Sequence, residues 1–225
     1  PVGSRTFTYG GARDSCQYLS GGCVEMRVGV DVVTLPGAGR AIRMPFGWDA
    51  KTDGQLGVSG IMGLARNSPF LASVGGRLKL ILQKDPVAAE PVEFRVIPQA
   101  TSWTASVVLE SSSLVSSITV LFDTGAAAAI ALRKDLLDLL FGALDFDMHS
   151  GLYRQSPLLP TLFVSQGESR LTITPEMYTK SQYLLLAVIP ETAPIDMIIG
   201  APLLHSISLD CHIPSLTVTP ISAPR

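Results

Sequence analysis

The sequence predicts a mostly β fold, either a barrel or a sandwich. Short stretches of β-branched and apolar residues alternate with turn signals, supplied by 20 glycines and 16 prolines among 225 residues. Apolar residues make up 47% of the chain and charged residues only 16%, which provides for a sizeable core and argues against disorder. Many short strands separated by such turns are typical of all-β domains.

The predicted strands run along the whole chain and share one pattern. Each is a short run of β-branched or alternating apolar residues that ends near Gly, Pro, Ser or Asp. They cover residues 24–33, 92–97, 105–109, 117–122, 161–164, 170–173, 183–188, 197–199, 206–210 and 215–220.

One segment predicts a helix because leucines recur in it every four residues. The stripe consists of Leu132, Leu136, Leu140 and Leu144, widened by Leu137 and Leu139. A second, shorter helix is predicted within residues 70–82. Residues 83–91 are polar and contain Pro86 and Pro91, so we expect a boundary there between an N-terminal part, 1–88, and a C-terminal part, 89–225.

Composition and spacing argue against several classes of function. The net charge is −2 and no block of basic residues is present, so we expect no nucleic-acid partner. The apolar runs are too short to predict a membrane span. His149, His205 and His212 are isolated in the sequence and no phosphate-binding glycine motif occurs, so we expect no metal site and no cofactor.

The three cysteines allow two interpretations. Cys16 and Cys23 are close enough in the sequence to form a disulfide, which leaves Cys211 over. Such a pair would indicate an oxidising compartment. Three buried free thiols explain the same sequence equally well.

The tripeptide Asp123-Thr124-Gly125 carries the strongest chemical signal. It follows an apolar run, 118–122, so its carboxylate lies at the tip of a predicted buried strand. A carboxylate in such a place is costly unless it is hydrogen-bonded or functional. Thr and Gly supply a hydroxyl and a tight turn that could hold it.

Paired carboxylates of this kind can hydrolyse peptide bonds. Two carboxylates that lie close together share one proton, so the charged one activates a water while the other protonates the scissile carbonyl. Further along the chain, Met197-Ile198-Ile199-Gly200 suits a strand that passes behind such a loop, because Gly permits a close backbone approach.

Taken in order, these segments resemble the pepsin-like aspartic proteases along nearly the whole chain. Residues 122–125 match the second catalytic loop of the family, and residues 198–200 match the apolar pair and glycine behind it. Weaker matches are residues 18–33, 46–60, 59–65, 209–210 and 216–220, of which 46–60 loosely resemble the plant-type branch. The resemblance implies an acid-protease barrel with an incomplete N-terminal lobe and a complete C-terminal lobe, the latter with a short helix after the catalytic loop.

The same resemblance implies individual roles. Asp123 would be one catalytic aspartate, with Thr124 bracing the two catalytic loops and Gly125 forming the turn. Tyr18 would be the flap tyrosine that closes over substrate, with Tyr9 as the competing candidate.

Three further residues are predicted under this resemblance to contribute to substrate binding. They are Ala126, Ile198 and Gly200. Ala126 also departs from the family, which usually has Ser or Thr at this place to bond the catalytic carboxylate. Because a hydrogen bond favours the charged form, we expect an activity optimum less acidic than that of pepsin.

The family needs two Asp-Thr-Gly loops, and this sequence contains one. Ahead of Tyr18 the only acid is Asp14, which lies too close to the flap and has no Gly after it, and Asp53-Gly54 is typical of a turn. We therefore expect the chain to lack the first catalytic aspartate and the first strands of its lobe. As given, it should cleave peptides only if that carboxylate comes from upstream sequence or another chain.

The resemblance implies an aspartic endopeptidase that acts on peptide or protein substrates. It would be monomeric if the full-length protein has two lobes, and secreted, vacuolar or in another endomembrane compartment. Two alternatives stay open. A retroviral-type homodimer would bring two copies of Asp123 together in a unit that starts near Val92, and a non-catalytic binding or inhibitor protein would use the same fold.

Overall fold

The computed structural model describes residues 8–17, 23–34, 41–52, 63–83, 89–213 and 215–222. The chain divides by contact into two compact units, Pro1–Arg77 and Leu78–Arg225. Strands predominate in both, which confirms the predicted mostly β class.

The first unit contains one antiparallel sheet and a short helix. Strands β1 (Thr8–Gln17), β2 (Cys23–Thr34) and β3 (Ala41–Thr52) follow one another in the order β1-β2-β3. Helix α1 (Pro69–Ser73) begins after Ser68, whose Oγ accepts a hydrogen bond from the backbone N–H of Leu71 at 3.3 Å. It is much shorter than the helix predicted within 70–82, because two glycines with positive φ follow it and a strand begins.

The second unit contains most of the strands. Their bounds are β4 Arg77–Ile81, β5 Val92–Arg95, β6 Thr104–Glu110, β7 Val115–Asp123, β8 Ile130–Arg133, β9 Phe146–Asp147, β10 Leu152–Arg154, β11 Leu162–Gln166, β12 Ser169–Ile173, β13 Thr179–Lys180, β14 Tyr183–Leu184, β15 Leu186–Ile189, β16 Met197–Gly200, β17 Leu204–Asp210 and β18 Ser215–Pro220. Two helices, α2 (Lys134–Phe141) and α3 (Pro175–Tyr178), and a 3₁₀ turn, Ala201–Leu203, complete it.

The described residues of this unit form three open sheets. The largest has seven strands in the order β12-β11-β6-β7-β16-β8-β15. Two four-stranded sheets have the orders β4-β17-β18-β5 and β13-β14-β10-β9. No sheet in the described parts of the chain closes on itself, so the structure shows a set of open sheets where a barrel was expected.

The main core lies on one face of the seven-stranded sheet. Along β7 every second side chain, Ile118, Val120 and Phe122, is buried, and Phe122 packs on Phe94 of β5 with 5.0 Å between ring centroids. The alternation places Asp123 on the other face, where side chains are half-buried. The strand pattern therefore directs this carboxylate away from the core.

The predicted helix after residue 131 exists, but its ends differ from the leucine stripe. Leu136, Leu137 and Leu140 are buried on α2, as the stripe predicts. Leu132 belongs to β8, and Leu144 lies beyond Gly142, where φ of +65° ends the helix. Strand β8 forms because its backbone pairs with β15 and β16. The four-residue spacing of the leucines gives no information about this pairing.

The boundary between the two units falls at 77/78, earlier than the predicted 88/89. Strand β4 lies beside β17 in a sheet of the second unit. The backbone N–H of Leu82 also donates to the His205 carbonyl at 2.9 Å. This pairing draws a segment of the expected N-terminal part into the C-terminal unit.

Candidate functional site

Asp123 is the last residue of β7, and the turn after it holds its carboxylate. The backbone N–H of Gly125 donates to Asp123 Oδ1 at 2.8 Å, and that of Ala126 donates to the Asp123 carbonyl at 3.2 Å. A Cβ at Gly125 would lie 3.2 Å from Oδ1, so glycine lets its amide approach the carboxylate without crowding. One carboxylate oxygen thus has a defined position.

The second oxygen of Asp123, Oδ2, makes no hydrogen bond to another residue that the structure describes. The side chain as a whole is half-buried. Thr124 is half-buried as well, and within the described ranges its hydroxyl makes no hydrogen bond. The bracing of two loops by Thr124 stays a prediction, because it needs the second loop, whereas Asp123 keeps one oxygen available for water or a proton.

Strand β16 passes directly behind this turn. It lies between β7, with which it is parallel, and β8, with which it is antiparallel. The register pairs Gly200 with Asp123 and Ile198 with Leu121. The loop 124–129 connects the end of β7 to the start of β8. Strand β16 therefore lies in the sheet between the two strands that the loop connects.

Gly200 contacts the loop so closely that no side chain fits. A Cβ there would lie 1.9 Å from the Ala128 carbonyl oxygen and 2.9 Å from that of Ala126. The Gly200 N–H donates to the Ala129 carbonyl at 3.0 Å, and the Ala201 N–H donates to the Ala126 carbonyl at 3.2 Å. The close approach predicted for Gly200 is thus present, and its backbone ties both halves of the loop to β16.

Apolar side chains cluster on the face of the sheet that also carries Asp123. Ile198 packs with Ala131 and Ile195 in a buried cluster, against which half-buried Leu121 and Ala126 also pack. Ile198 is only 8% exposed, so most of its side chain supports the loop from within the protein. The Ala126 methyl group would lie 3.1 Å from a Cβ at Gly200, so Ala126 also contributes to the tight contact between the loop and β16.

Asp196 is a residue of this region that sequence reasoning missed. Its carboxylate accepts a hydrogen bond from the Thr119 N–H at 2.7 Å and pairs with the Arg133 guanidinium at 2.9 Å. Arg133 also pairs with Asp135; the hydrogen bond to Asp135, and then the charge of Asp196, raise the pKa of Arg133. The available signal was an acid placed directly before an apolar strand.

The other predicted site residues lie in the first unit. Tyr18 falls outside the described residues. Tyr9 lies in β1, opposite Gly29 of β2. Strands β1 and β2 pair antiparallel, and the flap role of Tyr18 stays a prediction.

The proposed Cys16–Cys23 pair is described only through its backbone. The register places Cys16 opposite Val24 and Cys23 opposite Gln17, and the two side chains lie outside the description. Cys211, in the second unit, is half-buried. The disulfide therefore stays a prediction.

An open groove of about 740 Å³ lies elsewhere in the second unit, beside β5 and β12. Its rim carries Glu90, Glu93, Glu168 and Arg170, and none of the predicted site residues lines it. In the described part of the chain, no group of three or more His, Cys, Asp or Glu side chains is placed to hold a metal ion. Among these same residues, no helix has the length and apolar character needed to cross a membrane.

Comparison with known proteins adds no family assignment. A scan against models of protein families finds no match, and a search of curated proteins finds no significant similarity.

Proposed function

We propose that this chain belongs to an aspartic-type peptidase in which Asp123 supplies one of two catalytic carboxylates. The observation that supports the proposal is the geometry of its loop. One oxygen of Asp123 is held by the Gly125 amide, the other has no described partner, and Gly200 braces the loop from behind. A rigidly held carboxylate with one available oxygen suits general acid–base chemistry.

The chemistry requires a second carboxylate close to Asp123. The charged member of the pair removes a proton from a water, whose oxygen attacks the peptide carbonyl carbon. The neutral member donates its proton to the carbonyl oxygen, which gives a tetrahedral intermediate. As the C–N bond breaks, the carboxyl that took the proton from water passes it to the leaving nitrogen, and the other carboxylate takes back the hydroxyl proton. The second carboxylate would come from upstream sequence or from another chain.

The apolar side chains next to Asp123 support a peptide substrate with small or medium aliphatic residues near the cleaved bond. Leu121 is half-buried on the face of β7 that carries the carboxylate, and half-buried Ala126 packs against the same apolar cluster as Leu121.

The proposal is tested by replacing Asp123 with Asn in the full-length protein. Asn keeps an oxygen that can accept the Gly125 hydrogen bond but cannot act as a base, so we expect cleavage of a mixed peptide library to fall at least about a hundredfold. Cleavage is followed by mass spectrometry between pH 3 and pH 7. The matched control is Asp138→Asn, an exposed carboxylate on α2 that pairs with Lys134.

Binding gives a second measurement. A peptide with a secondary alcohol in place of the scissile amide resembles the tetrahedral intermediate, and should bind the wild-type protein and lose affinity in Asp123→Asn. Equal cleavage by wild type and Asp123→Asn would refute the proposal. So would a wild-type protein that neither cleaves the library nor binds this peptide.

The two alternatives raised by the sequence differ in their outcomes. A homodimer would form stable dimers in sedimentation, and mixed dimers of wild type with Asp123→Asn would lose activity. A non-catalytic binding protein would capture its protein partner equally well as wild type and as Asp123→Asn, and would cleave nothing.

A further inference from the structure

Asp196 connects the two strands that flank β16. On one side, its Oδ2 accepts a hydrogen bond from the Thr119 N–H at 2.7 Å, and its own N–H donates to the Thr119 carbonyl at 2.9 Å. On the other side, its carbonyl accepts from the Arg133 N–H at 3.0 Å, and its Oδ1 meets the Arg133 guanidinium at 2.9 Å. One residue thus bonds to both β7 and β8.

These contacts lie at the start of β16, and the candidate catalytic loop lies at its end. The strand has only four residues, Met197–Gly200. A slip by one position would put Ile199 or Ala201 where Gly200 now lies. Because a Cβ at that place would meet the Ala128 carbonyl oxygen at 1.9 Å, the slip would displace the loop.

We propose that Asp196 is a positioning residue, which sets the register of β16 and thereby holds the Asp123 loop through Gly200. The identification of Asp123 as catalytic rests on the proposed function, whereas the positioning of the loop does not. Asp196 itself does not contact the reacting atoms in this proposal.

A carboxylate suits this role better than other side chains of its size. Its two oxygens accept from two different donors, the Thr119 amide and the Arg133 guanidinium. An Asn side chain has one acceptor oxygen and one NH₂ donor group. In its place, the NH₂ group would face either the Thr119 amide or the Arg133 guanidinium, and both of these are donors. Asp135, the other partner of Arg133, is more exposed than Asp196 and makes no bond to β7 in the described contacts.

Amide hydrogen exchange of the full chain tests the proposal, whether or not the chain cleaves peptides. In Asp196→Ala the amides of Gly125, Gly200 and Ala201 should exchange about tenfold faster or more, because the strand loses its anchor. Asp196→Asn, which keeps one acceptor, should show a smaller effect at the same amides. Asp135→Ala, the matched control, should leave these three amides unchanged.

The amides of the β17–β18 pair report on the stability of the unit as a whole. Unchanged exchange there, together with faster exchange in the loop, supports the positioning role. An equal rise in both regions, or no rise at Gly125 and Gly200, would overturn it. If Asp196→Ala fails to fold, the comparison of Asp196→Asn with Asp135→Asn decides between these outcomes.

Once cleavage has been demonstrated, steady-state kinetics provide a further test. Asp196→Asn should then lower kcat several-fold with little change in KM, because the carboxylate moves while the apolar contacts to substrate remain. A wild-type protein without activity would count against the proposed function, and the exchange result would still decide the role of Asp196.

Discussion

Gly200 lies in register with Asp123 on the neighbouring parallel strand, and its backbone fills the space behind the loop 124–129. Its N–H donates to Ala129, and the next N–H along the chain donates to Ala126. The carboxylate therefore has its position set by a residue far along the sequence as well as by its own turn.

Gly200→Ala tests this relationship. The added methyl group would start 1.9 Å from the Ala128 carbonyl oxygen, so the loop must move. We expect the free energy of unfolding to fall by about 1–3 kcal/mol, as for other overpacked sites, and the binding of the alcohol-containing peptide to weaken. Urea unfolding and titration measure the two effects. Gly63→Ala is the control, since nothing lies within 4 Å of a Cβ there; equal losses in both variants would contradict the prediction.

Ala126→Ser tests the effect of the missing hydroxyl on pH dependence. A serine hydroxyl beside Asp123 can donate a hydrogen bond to the charged carboxylate, which favours the charged form. We expect the acidic limb of the pH–rate profile to move to lower pH by up to about one unit, the equivalent of one hydrogen bond. Ala127→Ser, at the exposed neighbouring position, should leave the profile in place. A shift of Ala126→Ser towards higher pH would argue against the role of Asp123.

Leu137 and Leu139 provide a matched pair on α2. Leu137 is 2% exposed and Leu139 is 53% exposed, although both belong to the leucine-rich segment. Leu137→Ala should lower the free energy of unfolding by about 2–5 kcal/mol, because it leaves a cavity in the core. Leu139→Ala should change it by no more than about 0.5 kcal/mol. Urea unfolding of the two variants measures the difference, and similar losses would show that the helix packs by another face.

Tyr178 links stability to alkaline pH. Its side chain is fully buried, and its hydroxyl donates to the Pro160 carbonyl at 2.6 Å. Burial, and then the charge of Glu176, raise the pKa of Tyr178 above its ordinary value. A raised pKa means that the folded state favours the neutral form, so this contribution is complete below about pH 10, where unfolded tyrosine ionises, and is lost as pH rises through the folded pKa.

Tyr178→Phe should therefore be less stable than wild type at pH 8, by about 1–3 kcal/mol, because the Pro160 carbonyl loses its partner. Between about pH 10 and pH 12 its stability should fall less steeply than that of wild type. Urea unfolding at several pH values measures both slopes. Tyr153→Phe, at a half-buried position, serves as the control; equal slopes for Tyr178→Phe and wild type would contradict the prediction.

Strand prediction succeeded where the local pattern was long enough. Residues 117–122 were predicted as a strand, and β7 covers Val115–Asp123 with alternating burial. Strand β8 was missed, because Leu132 fits the four-residue spacing of the helix that follows. A strand of four residues is too short for its apolar periodicity to be distinguished from that of the first turn of a helix. Residues 130–133 form a strand because they pair with β15 and β16.

The Asp123 turn and the glycine behind it were predictable because each depends on local chemistry. Asp-Thr-Gly after an apolar run indicates a held carboxylate, and a glycine that ends an apolar strand indicates a close backbone approach. Asp196 directly precedes an apolar strand, but its contacts could not be predicted from that position, since its partner Thr119 is 77 positions away along the chain. Only the fold brings that amide to the carboxylate.

The sequence by itself determined the mostly β class, most strand positions and the loop that holds Asp123, because periodicity and turn chemistry act between near neighbours. The tertiary structure decided the strand order, the place of β16 between β7 and β8, and the contact of Asp196 with both. These features depend on hydrogen bonds and burial between distant segments, whose pairing follows from how the whole unit packs and leaves no mark in any single stretch of sequence.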